Sequence, residues 1–322
     1  MTSRRPCARF TRRSTLPRVG IVGATGAVGG VLRELLRDWD NVRYFATARS
    51  AGKELDGRQI EEATPDALAG GGLDLCFVAI DAASSLELVP NAVRGGAVAI
   101  DKSSAWRMKP DVPLVVPEVN GDRALEHSGV IAVPNCSTIQ LMVALKPLHD
   151  AAGLRSIRVA TYQSVSGAGK RAMERLRAES VEEHDARGDW TFDGEEFEEE
   201  TKIREEVQKI LELPDLPVQA TCVRVPVLVG HLEAVWIETD DALEPEEARK
   251  LLGAARGVRV VDFPSPAQAA GEDEVLVGRV RRDPASRNGL ALMVAGDNLR
   301  KGAALNAVQI AELLLERRAL AA

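Results

Sequence analysis

The chain has 322 residues, 45% of them hydrophobic and 28% charged, the balance of a soluble globular protein rather than a disordered or fibrous one. Its length predicts two domains, no apolar run reaches the roughly eighteen residues of a membrane-spanning helix, and a net charge of −7 argues against a nucleic-acid partner. Four scattered cysteines (Cys7, Cys76, Cys136, Cys222) form no CxxC pair, which excludes a zinc finger or a disulfide-stapled scaffold; a cytoplasmic enzyme with no metal is the expectation.

Residues 1–16 carry five arginines and no acid. They lack the apolar segment of a secretory signal, and a disordered extension is expected. Folded sequence begins at Pro17. Arg18–Val22 predicts a strand, Gly23-Ala24-Thr25-Gly26-Ala27-Val28-Gly29 a glycine-rich turn, and Val28, Val31, Leu32, Leu35 and Leu36 recur at helical spacing. Strand, turn and helix in that order open a dinucleotide-binding βαβ unit. Apolar runs at Val42–Ala46, Leu73–Ile80, Ala97–Ile100 and Val130–Val133 predict further buried parallel strands, so a Rossmann-like α/β domain is expected over 17–134.

After Pro134 the pattern changes. A helix is predicted at Ser137–His149, a strand at Ser156–Gln163 and a charged helix at Lys170–His184. Thirteen acids accompany three bases between Glu179 and Glu206, which reads as a solvated helical surface. Strands at Cys222–Val229, Ala234–Thr239, Val258–Asp262, Glu274–Arg281 and Leu290–Ala295 predict a mainly antiparallel sheet in a second, α+β domain spanning 135–301. An amphipathic helix, Gly302–Leu320, is expected to pack back on the first domain.

The turn spells GxxGxxG. Glycine permits positive φ and close backbone approach, and a helix N-terminus offers unpaired N–H groups to a pyrophosphate. At the end of the second predicted strand no acid is available for the ribose 2′-hydroxyl of NAD. Arg49 and Ser50 stand there instead and suit a 2′-phosphate, which favours NADP. The alternative is a plain surface arginine.

Cys136 lies between an apolar strand and a helix in Pro134-Asn135-Cys136-Ser137-Thr138-Ile139-Gln140. The positive end of the helix dipole favours a thiolate there, making Cys136 the candidate nucleophile, whereas Cys76 and Cys222 sit inside apolar strands as buried structural residues. Among the histidines, His127, His149 and His184 read as surface residues. His231 follows an apolar strand opened by Arg224 and is the candidate acid–base partner, and Arg224 could clamp a carboxylate through two parallel hydrogen bonds.

These motifs together resemble a family. From about Pro17 to Glu316 the chain is similar to the bacterial type of aspartate-β-semialdehyde dehydrogenase, through the blocks GATGAVG, ARSAGK, DKSSAWR, VVPEVN, PNCSTIQ, TYQSVSGAGK, RVPVLVGH and GDNLRKGAALNAVQI. The resemblance implies NADPH-dependent reduction of aspartyl phosphate to the semialdehyde through a cysteine thioester, in biosynthesis of lysine and diaminopimelate, threonine, methionine and isoleucine. It implies inorganic phosphate as a co-product and a homodimer or tetramer.

By position, the resemblance makes Cys136 the acyl carrier, His231 the general acid/base, and Gln163 the residue that orients the substrate. Arg224 would bind the α-carboxylate, Glu199 the α-amino group, and Arg107, Asn135 and Lys202 the phosphate. Gly23, Thr25, Gly26, Ala27, Val28, Arg49, Ser50, Ser166, Gly167 and Asn298 match contacts to NADP. The chain departs from the family at Lys102, commonly Asn, at Leu232, commonly Ser, and in a shortened stretch between Lys170 and Glu199. Two other readings fit parts of the pattern: a sibling reductase of N-acetylglutamyl phosphate, and a catalytically silent NADP-binding paralogue.

Overall fold

The computed structural model describes residues 17–178 and 190–317. The expected extension 1–16 lies outside them, as do 179–184 and 318–320, the ends of two predicted helices. Seven strands build the first sheet: β1 (Val19–Val22), β2 (Val42–Ala46), β3 (Glu54–Leu55), β4 (Arg58–Glu62), β5 (Leu75–Val78), β6 (Val98–Asp101) and β7 (Val130–Ala132). Their order is β3-β4-β2-β1-β5-β6-β7, and every pairing except β3 with β4 is parallel. The central strands β1, β5 and β6 are buried along their whole length, because helices cover both faces and leave no polar side. Sequence periodicity missed β3 and β4. In β4 only Ile60 is buried, so this edge of the sheet carries almost no hydrophobic signal.

The second sheet contains β8 (Leu154–Ser164), β9 (Val218–Val225), β10 (His231–Thr239), β11 (Val258–Val260), β12 (Val275–Arg282) and β13 (Gly289–Gly296), in the order β11-β12-β13-β10-β8-β9. Three of its pairings are antiparallel and two, β8 with β9 and β11 with β12, are parallel. The sheet is therefore mixed, with antiparallel pairing in the majority as expected. A crossover explains the first exception: the chain leaves β8, runs through the helix Glu198–Leu211 that packs on β9, and returns in the same direction.

The predicted strand Cys222–Val229 is displaced to Val218–Val225, since Pro226 ends the ladder. Arg224 thus lies near the end of β9, and His231 opens β10 on a different strand.

The helix Cys136–Ala152 joins the halves. It is buried on nearly every side, packs on β8, β10, β12 and β13, and starts where β7 ends. The chain then returns: a π-helical turn, Arg300–Ala304, leads into the helix Leu305–Glu316, which packs on the helix Ala27–Leu35 and on β6.

Candidate active site

Register brings three of the predicted site residues into one row. β8 and β9 pair in parallel with Gln163 beside Arg224. On the other side of β8, Tyr162 pairs with Leu232, so His231 falls next to the end of β8 as well. The Arg224 Nη1 donates to the Ser164 carbonyl at 2.9 Å and lies 3.5 Å from Gln163 Oε1. Its guanidinium stacks on Trp190, 4.4 Å from the ring centroid.

Opposite this row stands the start of the Cys136 helix. Asn135 is its N-cap, with Oδ1 accepting from the Ser137 N–H at 2.9 Å and Nδ2 donating to Glu199 Oε1 at 2.8 Å. Cys136 Sγ lies 3.1 Å from His231 Nε2. Gly302 of the returning turn makes this possible: a Cβ there would sit 2.9 Å from Cys136 Cβ.

A cleft of about 440 Å3 connects these groups. Among the predicted residues, Gly26, Ala27, Val28, Arg107, Asn135, Cys136, Gln163, Ser166, Gly167, Glu199, Lys202, Arg224 and Asn298 line it, and His231 lies fully buried directly behind Cys136. Gly23 sits under the glycine-rich turn. Thr25 and Arg49 are exposed and Ser50 half-buried, all three outside the cleft lining.

The glycine-rich turn fits a dinucleotide. Gly23 has φ +88°, and a Cβ at Gly29 would fall inside hard contact with the Gly23 carbonyl, so the helix can begin this close to β1 only without side chains. Gly26 caps that helix without a side-chain hydrogen bond, leaving its first-turn N–H groups to an anion. At the other end of the cleft Asn298 Oδ1 accepts from the Gly230 N–H at 2.9 Å, and its Nδ2 donates to Ser166 Oγ at 2.8 Å.

Electrostatics correct one expectation. Burial, aided by Glu199, pushes the Cys136 thiol up to about 12, overriding Arg224, Arg107 and the Ser137 N–H. Burial and Arg224 hold His231 down at about 3. The resting pair is therefore a neutral thiol beside a neutral imidazole, because desolvation outweighs the helix dipole.

Two further sequence readings change. His127, expected on the surface, is buried and accepts the Gly129 N–H on Nδ1, while His149 is half-buried; His184 lies outside the described residues. The acidic stretch is not simply a solvated face: Glu199, Glu200 and Glu206 of the helix Glu198–Leu211 are buried. Lys202 Nζ lies 3.2 Å from Glu198 and 3.8 Å from Glu199.

Sequence reasoning missed Glu206 and Trp190, and marked Lys102 only as a departure from the family. Glu206 Oε1 pairs with Arg107 Nη1 at 2.8 Å, and its Oε2 accepts the Asn135 N–H at 2.6 Å. The helical spacing Glu199–Ile203–Glu206–Val207–Ile210 marks that inward face and was available in the sequence. Lys102 lines the cleft, and its carbonyl accepts from Arg107 Nη2 at 2.6 Å. Burial, then Arg107, lowers its ammonium pKa.

A parallel sheet with a glycine-rich phosphate turn, open at its carboxyl edge onto a cysteine–histidine pair, defines a nicotinamide-dependent dehydrogenase with a sulfur nucleophile. Residues 18–127 match the family model "Semialdehyde dehydrogenase, NAD binding domain", and residues 145–192 and 188–301 match "Semialdehyde dehydrogenase, dimerisation domain". The chain is 45% identical over 334 residues to the aspartate-semialdehyde dehydrogenase of Streptomyces akiyoshiensis, covering 92% of this chain and 98% of that one. Against the enzyme of Corynebacterium glutamicum it is 42% identical over 343 residues, covering 92% and 99%. The crystal structure of aspartate semialdehyde dehydrogenase II from Vibrio cholerae, complexed with ASA, superposes with a TM-score of 0.88 at 39% identity over 94% of this chain and 99% of that one. The chain belongs to the aspartate-semialdehyde dehydrogenase family.

Proposed function

We propose that the chain reduces L-aspartyl-4-phosphate to L-aspartate-4-semialdehyde with NADPH, releasing phosphate, in the pathway to lysine, threonine and methionine. The observation that carries this reading is the Cys136–His231 contact at the end of a cleft that also holds a dinucleotide turn, Arg107, Arg224 and Glu199. Cys136 attacks the acyl carbon and expels phosphate, giving a thioester. Bound NADPH supplies the hydride that reduces that thioester. Arg107, Asn135 and Lys202 take the phosphate, Arg224 and Glu199 hold the amino-acid end, and Gln163 orients the acyl group. His231, 3.1 Å from the sulfur, is the general acid/base that takes the Cys136 thiol proton as the C–S bond forms.

NADP is favoured over NAD by Arg49 and Ser50 in the turn after β2, where no acid stands. Two copies are proposed to pair through the outer face of the second sheet, where Leu232, Ala234 and Trp236 of β10 are only half-buried and Tyr162 is exposed. Among the described residues no helix is long and apolar enough to cross a membrane, which fits a cytoplasmic location. The proposed division places the nucleotide domain at 17–134 and the catalytic and dimerisation domain at 135–301.

The test is direct. The full chain, given aspartate semialdehyde and NADP, reduces the nucleotide only when phosphate is present, and Cys136→Ser abolishes this. Reduction without phosphate dependence would overturn the reaction. Arg49→Ala raises KM for NADP far more than for NAD; equal losses would reject Arg49 as the 2′-phosphate contact.

A further inference from the structure

Trp190 belongs to the stretch between Lys170 and Glu199 in which the sequence departs from the family, and it lines the cleft with Glu198, Glu199, Lys202 and Arg224. The Arg224 guanidinium carbon stands over its indole, 4.4 Å from the ring centroid. At that separation the negative face of the ring attracts the cation, and the contact is best when the two flat groups stack.

Arg224 is buried and closely confined. Its Nη1 donates to the Ser164 carbonyl at 2.9 Å, which fixes one corner of the group. The 165–168 turn packs against the same nitrogen so closely that a Cβ at Gly167 would lie 2.9 Å from it. The indole adds what these contacts do not, a face-on surface that is lost as the guanidinium tilts. A carboxylate gripped through two parallel N–H···O bonds lies in the guanidinium plane. The tilt of Arg224 is then the tilt of the bound carboxylate and, through the short carbon skeleton, the approach of the acyl carbon to Cys136.

The indole is itself held by a chain of contacts that returns to the strand of Arg224. Its ring packs on Phe197 with centroids 6.1 Å apart, and Phe197 on Phe192 at 5.2 Å. Between them the backbone turns back: the Glu198 N–H donates to the Thr191 carbonyl at 2.9 Å, and Asp193 Oδ1 accepts from the N–H groups of Glu195 and Glu196. Phe197 begins the helix Glu198–Leu211. Glu200 of that helix accepts the Phe197 N–H on Oε2 and the Cys222 N–H on Oε1, both at 2.8 Å. Cys222 is two residues before Arg224 on β9.

We propose that Trp190 is a positioning residue for Arg224: its indole sets the plane of the guanidinium that grips the substrate α-carboxylate, and so aligns the acyl carbon with the Cys136 sulfur. This rests on the reading of Arg224 as the carboxylate ligand. It gives the departing stretch a task in the site itself.

The test replaces the ring and keeps the apolar bulk. In the oxidative direction, Trp190→Leu should lower kcat/KM for aspartate semialdehyde about tenfold, within the range of a desolvated cation–π contact. KM for NADP, KM for phosphate and the melting temperature should stay nearly constant. Trp190→Phe keeps an aromatic face and should recover most of the loss. Unchanged kcat/KM in the Leu variant, equal losses in Leu and Phe, or a loss matched by rising KM for NADP and phosphate would each overturn the proposal.

A double-mutant cycle tests the route. Lysine has no plane to set, so in an Arg224→Lys background the Trp190→Leu change should cost far less than in the unmodified chain. Losses that multiply would mean that Trp190 acts by a separate route, and would overturn the proposal. A normal kcat/KM for aspartate semialdehyde in Arg224→Lys alone would instead overturn the carboxylate reading on which the proposal rests, so the two failures are told apart.

Discussion

Glu206 and Arg107, ninety-nine positions apart in the chain, form a buried ion pair with Nη1 2.8 Å from Oε1. The second carboxylate oxygen holds the Asn135 N–H, so one side chain fixes both a cleft-lining arginine and the start of the Cys136 helix. Arg107 is also bound to the carbonyls of Val133 and Lys102, and its position is set entirely by the protein.

Glu206→Gln should therefore impair catalysis more than folding. The amide presents an N–H to one of two partners that are themselves donors, so either Arg107 or Asn135 must move. We expect kcat/KM for phosphate in the oxidative direction to fall at least tenfold with KM for NADP nearly constant. Glu206→Ala, which leaves a buried guanidinium without its counter-charge, should cost about 3–5 kcal/mol of stability as well. Melting temperatures measured beside kcat/KM separate the two, and a Gln variant that melts lower yet reacts normally would refute the positioning role.

Lys102→Asn tests the cleft's additional cation. Arg107 is already paired with Glu206, and Lys202 lies between Glu198 and Glu199, whereas the Lys102 ammonium forms no ion pair with a carboxylate among the described residues. Its removal should raise KM for phosphate on the order of tenfold, the worth of one charge-assisted hydrogen bond, and leave KM for aspartate semialdehyde little changed. A rise confined to KM for NADP would place Lys102 against the nucleotide instead.

Gly302→Ala should slow the reaction without touching any polar group of the site. The added methyl would lie 2.9 Å from Cys136 Cβ and 3.3 Å from its Cα. The nucleophile has to shift, and misplacement by about 1 Å costs roughly 10²-fold in rate. Single-turnover reduction rates would show this loss, with nucleotide affinity by fluorescence titration as the control; an unchanged rate would mean the returning turn yields instead.

Glu233→Gln should stabilise the protein at neutral and alkaline pH. Glu233 is fully buried on β10, and burial raises its pKa well above the ordinary carboxyl value, with Gln140 opposing. Above about pH 4.5 the unfolded chain releases this proton and the folded chain retains it, so its contribution to stability falls as pH rises, by about 1.4 kcal/mol per pKa unit of displacement. The amide resembles the protonated acid and removes this dependence. The melting-temperature difference between variant and unmodified chain should grow from near zero at pH 4.5 to its largest value near pH 8; a flat difference would show that Glu233 ionises normally. His231 contributes with the opposite sign between about pH 3 and 6.5, since its folded pKa is depressed, and cancels in this comparison.

Local pattern carried much of the architecture. The buried parallel strands read as uninterrupted apolar runs because both their faces are covered, and the glycine-rich turn and the cysteine at a helix start are signals within a few neighbouring residues. Family-specific blocks then tied Cys136, Gln163, Arg224 and His231 to one chemistry. Other features left no local trace: the edge strands β3 and β4 bury too little, and the parallel pairing of β8 with β9 depends on a crossover that the strand sequences do not encode.

What only the tertiary structure decided is the electrical state of the site. A helix N-terminus taken alone predicts a thiolate at Cys136, and a histidine taken alone titrates near neutrality. Burial by the second sheet, with Glu199 and Arg224 brought in from distant positions, reverses both. The Nδ1 of His231 is held by a main-chain N–H sixty-seven residues away, and the acids that sequence composition assigned to solvent are turned inward onto Arg107 and Asn135. Charge in a protein depends on the distance to other charges and to water, and neither is a property of neighbours in the chain.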